Sequence, residues 1–290
     1  MSVPVNLLKP DQRFWYAQLV VAAILADGEI DASEVEFLRG VIGVVKEPVA
    51  RQALLAHIEA KQPPPVHEPP SAIPDQILAA IFTELILICI ADVDFAVEER
   101  TFLEEVAGVM SFTPAYLKML MNWLEDGLRW KRAQSELLPP SSGFTIGQVP
   151  IDQFSSEQRY WYAQLLISTI MLDGRLDEME LQFMKMAVGF VQEKPLKMKL
   201  MGYVKNKMSP PLSSPPDFPR DLLILIFVNV IQIVSADESI SYSEQTMLKE
   251  LSDLCGFESD LFARLISWCN QGVSWKGNKN GLIQRVRRSV

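Results

Sequence analysis

Apolar residues recur every three or four positions along most of the chain, which is the spacing of helices that bury one face. The clearest rows consist of Phe14, Ala17, Leu19, Val21, Ile24 and Leu25, and then of Val35, Leu38, Ile42 and Val45. No stretch alternates apolar and polar residues as a half-buried strand does. The pattern therefore predicts an all-α protein.

The predicted helices of the first half cover residues 10–26, 32–46, 48–60, 74–91, 98–109 and 114–130, and the second half repeats the set between 156 and 273. Two segments, 77–91 and 222–234, are apolar on nearly all sides, so we expect each to lie at the centre of a bundle. Both are shorter than the roughly 20 residues that cross a membrane. Proline-rich stretches at 61–74, 138–150 and 208–219 predict loops, because proline cannot continue a helix.

The two halves of the sequence resemble each other. The 26 residues from Arg13 match those from Arg159 at 12 positions without a gap, and with a one-residue slip the match continues to Trp130 and Trp275. We therefore predict two tandem, pseudo-symmetric helical bundles related by internal duplication. The predicted parts are a first domain over 1–138, a linker over 139–155, and a second domain with a basic C-terminal tail over 156–290.

Each half also contains a weaker repeat, an acidic turn in which a glutamate follows an aspartate after seven residues. The four pairs are Asp27 and Glu34, Asp92 and Glu99, Asp173 and Glu180, and Asp237 and Glu244. One interpretation is a capping box, in which the glutamate bonds back to the start of its helix. The alternative is a divalent cation, calcium, magnesium or manganese, held by carboxylates that two turns of one half pool. The first turn resembles the second half of an EF-hand loop, but Ala23 and Leu25 stand where two of its ligands would be.

Two aromatic clusters, RFWYAQ in the first half and RYWYAQ in the second, are the most closely repeated stretches. Neighbouring residues on a helix point about 100° apart, so we expect part of each cluster to be exposed. One interpretation is a partner-binding surface made by Trp15, Tyr16, Trp161 and Tyr162, because Trp and Tyr are favoured at interface hot spots. The other is packing against the long linkers or the neighbouring domain.

Charge and composition narrow the classes of partner. The net charge of −9 argues against nucleic acid, whose binding needs a cationic face. The basic segment from Lys276 to Val290 is interpreted as a solvated tail or, alternatively, as a segment that docks onto an acidic partner or an anionic lipid surface. Because 49% of the residues are hydrophobic, we also expect an exposed apolar patch that binds a protein partner or forms a homodimer.

Sequence signals for chemistry are weak. The three cysteines lie in apolar runs without CxxC spacing, which is typical of buried thiols in a reducing compartment. The N-terminal segment lacks the features of a signal peptide, so we expect a cytoplasmic protein. The two histidines have no partner at zinc-ligand spacing, and neither a nucleophile elbow nor a glycine-rich phosphate loop occurs. Enzyme activity is therefore not expected.

A helix that ends in ADGEID, a glutamate that opens the next helix and a second copy 65 residues later resemble the TerB family of tellurite-resistance proteins. The resemblance covers residues 10–131 and 156–276, as two TerB-like domains in tandem. It implies an all-helical bundle found in tellurite-resistance and stress operons and in membrane-associated co-chaperones, a divalent-metal role for the eight acidic residues of the turns, and no enzymatic reaction. Departures at Val93, Ala96, Arg175 and Glu238 leave the first turn as the best-preserved metal candidate.

These observations lead to two hypotheses. The first is a non-enzymatic cytosolic scaffold that docks a protein partner in a stress-response or membrane-associated complex. The second is a metal-responsive module, in which cations at the acidic turns control the exposure of the docking surface.

Overall fold

The computed structural model of the protein describes residues 3–26, 38, 40–91, 95–138, 149–172, 178–234 and 241–288, with the backbone alone at 135 and 178–180. No strand occurs among these residues, apart from one isolated bridge between Phe112 and Arg288. The predicted all-α class is therefore confirmed. Of the described helices, none combines the length and the apolar character that crossing a membrane requires.

In the first half, the helices are α1 (Pro10–Ile24), α2 (Pro48–Ala60), α3 (Asp75–Cys89), α4 (Val97–Val109) and α5 (Pro114–Leu137), and residues 40–44 are also helical. In the second half, they are α6 (Ser156–Ile170), α7 (Glu178–Gly189), α8 (Lys194–Asn206), α9 (Arg220–Val234), α10 (Tyr242–Leu254) and α11 (Ser259–Gln284). Short 3₁₀ helices at Val5–Leu7 and Ile151–Gln153 precede α1 and α6. Proline at the first position of α1, α2 and α5 suits a helix start, where its missing N–H costs nothing.

Two helices are longer than predicted. The sequence pattern ended α5 at residue 130 and the last helix at residue 273, but they continue to Leu137 and Gln284. The added residues are mostly polar, so they carry little hydrophobic periodicity. Buried Leu137, Leu282 and Ile283 hold these extensions against the rest of the fold.

The chain divides into two compact units that differ from the predicted domains. Unit 1 combines Met1–Lys131 with Gly277–Val290, and unit 2 is Arg132–Lys276. The C-terminal segment, expected as a basic tail of the second domain, thus belongs to unit 1. Of the expected linker over 139–155, residues 139–148 lie outside the described part of the chain.

In unit 1, α3 forms the centre of the core, as its apolar sequence predicts. Helix α1 packs against α2, α3 and α4, and α3 also packs against α4. Phe82 of α3 is fully buried and contacts Phe112 edge to face at 5.4 Å, and Phe112 contacts Tyr116 in the same way at 5.1 Å. Edge-to-face pairs of this kind add to the stabilisation that apolar burial provides.

The C-terminal segment completes this core. The hydroxyl of buried Tyr116 donates to the carbonyl of Leu282 at 3.1 Å, and Nε of Arg288 donates to the carbonyl of Met110 at 2.9 Å. The side chains of Leu282 and Ile283 are buried. The basic C-terminal segment is therefore attached to unit 1 by specific contacts, which differs from the solvated tail that was one of its two interpretations.

In unit 2, α9 takes the central place. It packs against α6 and α10, while α7 packs against α6 and α8. Phe227 of α9 is fully buried and meets Phe257 at 5.4 Å and Phe262 at 6.4 Å. The predicted central position of segment 222–234 is confirmed.

Candidate interaction surface

The first aromatic cluster lies inside unit 1. Trp15 and Tyr16 are each only 3% exposed. The Trp15 indole N–H donates to the carbonyl of His67 in the proline-rich linker at 2.8 Å, and the Tyr16 hydroxyl donates to Oε1 of Glu84 in α3 at 2.7 Å. These two bonds fasten α1 to the linker on one side and to the central helix on the other.

The second cluster makes the corresponding contacts in unit 2. Buried Trp161 donates from its indole N–H to the carbonyl of Ser213 at 2.9 Å, and buried Tyr162 donates to Oδ1 of Asn229 at 2.9 Å. Burial raises the pKa of the Tyr162 hydroxyl, and burial together with Glu84 raises that of Tyr16. Both hydroxyls are therefore neutral hydrogen-bond donors. The acceptor is a carboxylate, Glu84, in unit 1 and an amide, Asn229, in unit 2, so this hydrogen bond does not require a carboxylate.

The partner-binding surface predicted from Trp15, Tyr16, Trp161 and Tyr162 is not formed, since all four side chains are buried. Their alternative interpretation, packing against the long linkers, describes the contacts. The expectation of exposure assumed a helix with one buried side, but α1 is covered by three other helices and by the linker. Four tryptophans of α5 and α11 are also buried: Trp123, Trp130, Trp268 and Trp275.

The acidic turns are described at two of their glutamates. Oε2 of Glu99 accepts the backbone N–H of Ala96 at 2.7 Å, and Oε2 of Glu244 accepts that of Ser241 at 2.6 Å. Ser241 Oγ in turn accepts the Glu244 N–H at 3.3 Å, which completes a reciprocal capping box. The Ala96 side chain has no acceptor for the Glu99 N–H, so α4 has only one of the two hydrogen bonds of a capping box. Capping is therefore what these two glutamates do.

The remaining metal candidates are Asp27, Glu34, Asp92, Asp173, Asp237 and the side chain of Glu180, and they lie outside the described residues. Within the part of the chain that the structure describes, no group of three or more His, Cys, Asp or Glu is placed to hold a metal ion. The metal hypothesis stays a prediction for all four turns, because their aspartates lie outside the described residues.

Unit 2 contains an open cleft of about 580 Å³. Its described lining comes from the end of α6, the second linker and the start of α10: Ser168, Leu172, Ser209, Pro210, Pro211, Leu212, Tyr242, Ser243, Thr246, Met247 and Glu250. The Ser168 hydroxyl already donates to the carbonyl of Pro210 at 2.7 Å. Glu250 is the one acid among these described lining residues.

A different surface of unit 2 exposes large apolar side chains. Phe183 and Met186 of α7, and Met198 and Met201 of α8, are each between 54% and 63% exposed, and the two helices pack against each other. We call these four residues the methionine face. Four exposed lysines lie on the same two helices: Lys185, Lys194, Lys199 and Lys205.

Helix α2 of unit 1 corresponds to α8 but differs from it at two exposed positions. Both α2 and α8 have 13 residues, follow a glutamate in extended conformation, and end at a lysine in the left-handed region, with φ of 49° at Lys61 and 52° at Lys207. Position by position, Met198 and Lys205 correspond to Gln52 and Glu59, while buried Leu200 corresponds to buried Leu54. The inward residue is kept and these two outward residues become polar or acidic, whereas Met201 and Phe183 correspond to apolar Leu55 and Phe37.

This surface was not predicted from the sequence. Leu196, Leu200, Tyr203 and Val204 recur at helical spacing in α8, and exposed Met198 and Met201 lie outside that row. The available signal was the run from Lys194 to Lys207, which contains five lysines and no acid in an otherwise acidic chain.

Comparisons of the chain with models of protein families, with curated proteins and with solved structures found no match.

Proposed function

We propose that the chain is a non-enzymatic interaction protein, a helical scaffold that holds a protein partner on the methionine face of unit 2. The observation that carries this proposal is the concentration of exposed apolar side chains on two packed helices, where packing of the fold does not need them. Methionine is flexible and polarisable, and it is common at surfaces that bind other proteins. Exposed apolar groups of this kind mark interaction sites more often than scattered single residues do.

Two observations support the TerB-like, duplicated architecture as part of the proposal. The Trp–linker and Tyr–central-helix bonds occur in both units with lengths of 2.7–2.9 Å, and α2 and α8 share their length and both caps. A stress-response or membrane-associated complex in the cytoplasm is the setting that the TerB resemblance proposes for this scaffold.

Site-specific crosslinking tests the proposal in cells. A photo-reactive amino acid at position 201 should capture one defined protein, and the same group at position 97, an exposed valine of unit 1, serves as the matched control. Capture that is specific to position 201, lost with Met198→Gln and unchanged by chelator supports a metal-independent scaffold. Equal capture from both positions contradicts the proposed function.

A further inference from the structure

We infer that the methionine face binds an amphipathic helix whose flanking residues are acidic. The inference rests on the proposed interaction role and names the chemistry of the partner. It follows from the order of charged and apolar side chains along α8, from the area that α7 adds, and from the charge of the rest of the chain.

Four residues of α8 form a single stripe. At 100° per residue, Lys194, Met198, Met201 and Lys205 fall within an arc of about 60°, opposite buried Leu200. The two lysines are about 16 Å apart along the helix axis, with the methionines between them. A partner complementary to this stripe carries two apolar residues one turn apart, with an acid at each end, over about three helical turns.

Helix α7 carries a second exposed apolar pair. Phe183 and Met186 are also three residues apart, so each of the two packed helices presents one apolar pair. Two such pairs fit the i, i+3, i+4 and i+7 anchors by which an amphipathic helix binds to a groove between helices. Lys185 adds positive charge from α7, and the nearest acid in sequence, Glu193, accepts a hydrogen bond from the Ser156 hydroxyl.

Charge favours a helix over an anionic membrane as the occupant. The segment 194–207 carries five lysines within a chain whose net charge is −9. A bilayer is flat and extends beyond the methionine face, so it meets more of the acidic chain within the screening length than a short helix does. A short helix interacts mainly with charges within about 8 Å, the screening length at physiological salt, and there the lysines predominate.

The test uses the full-length protein and three labelled synthetic peptides of about 18 residues, which is five helical turns. One has leucines at helical spacing and glutamates elsewhere, one has lysines in place of the glutamates, and one is a scramble of the first. Vesicles of phosphatidylcholine with phosphatidylglycerol are the fourth probe. By fluorescence anisotropy, we expect the acidic amphipathic peptide to bind at least tenfold more tightly than the other two peptides, and more weakly as salt rises.

Two variants take their residues from the corresponding positions of α2, so the helix is expected to fold with them. Lys205→Glu should weaken binding of the acidic peptide at least tenfold by reversing a charge, and Met198→Gln several-fold by removing an anchor. Val97→Gln is the matched control on unit 1 and should change nothing. Unchanged thermal midpoints of the variants confirm that binding, not folding, is affected.

Three results overturn the inference: equal affinity for the acidic peptide and its scramble, tighter binding to the vesicles than to the peptide, or self-association that Lys205→Glu abolishes. The last would assign the surface to a second copy of the chain. Specific crosslinking from position 201 together with any of these results would leave the interaction role standing and remove only the acidic helix. Failure of the crosslink itself would remove both.

Discussion

The attachment of the C-terminal segment to unit 1 makes the sharpest stability prediction. A chain that ends after Lys276 loses the buried side chains of Leu282 and Ile283. Burial of two aliphatic side chains of this size stabilises a protein by about 3–6 kcal/mol. The same deletion leaves the hydroxyl of buried Tyr116 without its acceptor, which adds about 1–3 kcal/mol. Because domains are stable by only about 5–15 kcal/mol, unit 1 should lose most of its stability.

Urea unfolding followed by hydrogen exchange measures the effect unit by unit. Amides of α3 report on unit 1 and amides of α9 on unit 2. With a slope of about 2 kcal/mol per molar urea, the unit 1 midpoint should fall by about 2 M or more, or unit 1 should fail to fold. The unit 2 midpoint should fall by less than the unit 1 midpoint, because unit 2 keeps the buried side chains of Arg132–Lys276.

A second truncation, ending after Gln284, is the matched control. It keeps Leu282 and Ile283 but removes the Arg288 bond to the Met110 carbonyl and the bond from the Thr113 N–H to the carbonyl of Arg287. We expect a loss of about 1–2 kcal/mol, because each of these bonds contributes about 1 kcal/mol net. If both truncated chains unfold at the midpoint of the full chain, the segment does not stabilise unit 1 and the reasoning is refuted.

Four further predictions concern single sites. Trp161→Phe keeps an aromatic ring but removes the bond to the linker carbonyl, and should lower the free energy of unfolding of unit 2 by about 1 kcal/mol in urea; an unchanged midpoint would contradict this. Ser241→Ala removes one bond of the capping box and should lower the free energy of unfolding by about 1 kcal/mol, which a lower thermal midpoint would show. If added calcium or manganese restores the midpoint, capping is not the cause of the lost stability. Burial raises the pKa of the Cys255 thiol to about 12, so at pH 8 its alkylation should be at least 100-fold slower in the folded protein than in urea. Because this pKa exceeds the unfolded value of 9.0, the stability that the neutral thiol contributes is complete below pH 9.0 and is lost as pH rises toward 12. Cys255→Ala should reduce this loss of stability at high pH. For the first acidic turn, capping predicts equal thermal midpoints in chelator and in millimolar calcium, magnesium or manganese, and a rise with one cation that Asp27→Ala abolishes would identify a metal loop instead.

Helix positions were predictable from the sequence where local signals were strong. Proline at the first position and the proline-rich stretch from residue 61 delimit α2, which matches the predicted range 48–60. The ends of α5 and α11 were not predictable in the same way, because their last residues are polar and are held by contacts with residues far away in sequence. Tyr116 and Leu282, for example, are separated by 166 residues.

The candidate surface depended on the same kind of information. Periodicity identifies one buried side of a helix, but α1 is buried on most sides, so the expected exposure of Trp15 was wrong. In α8, periodicity locates the buried row around Leu200 but does not say whether apolar Met201, outside that row, is covered by another helix. The helices around a helix decide which of its sides is exposed to solvent, and the local sequence does not identify those neighbours directly.

Unit 1 is built from two separate segments of the chain, and this affects how it assembles. Unit 2 is continuous, whereas unit 1 joins two segments that are separated by the whole of Arg132–Lys276. Bringing Gly277–Val290 to unit 1 has an entropic cost that grows with the length of the flexible chain between them. A folded unit 2 replaces that flexible chain with a compact body and reduces the cost. Unit 2 can therefore stabilise unit 1 through the chain connection alone, and mutations in the α9 core should weaken protection of the C-terminal amides even though those amides belong to unit 1.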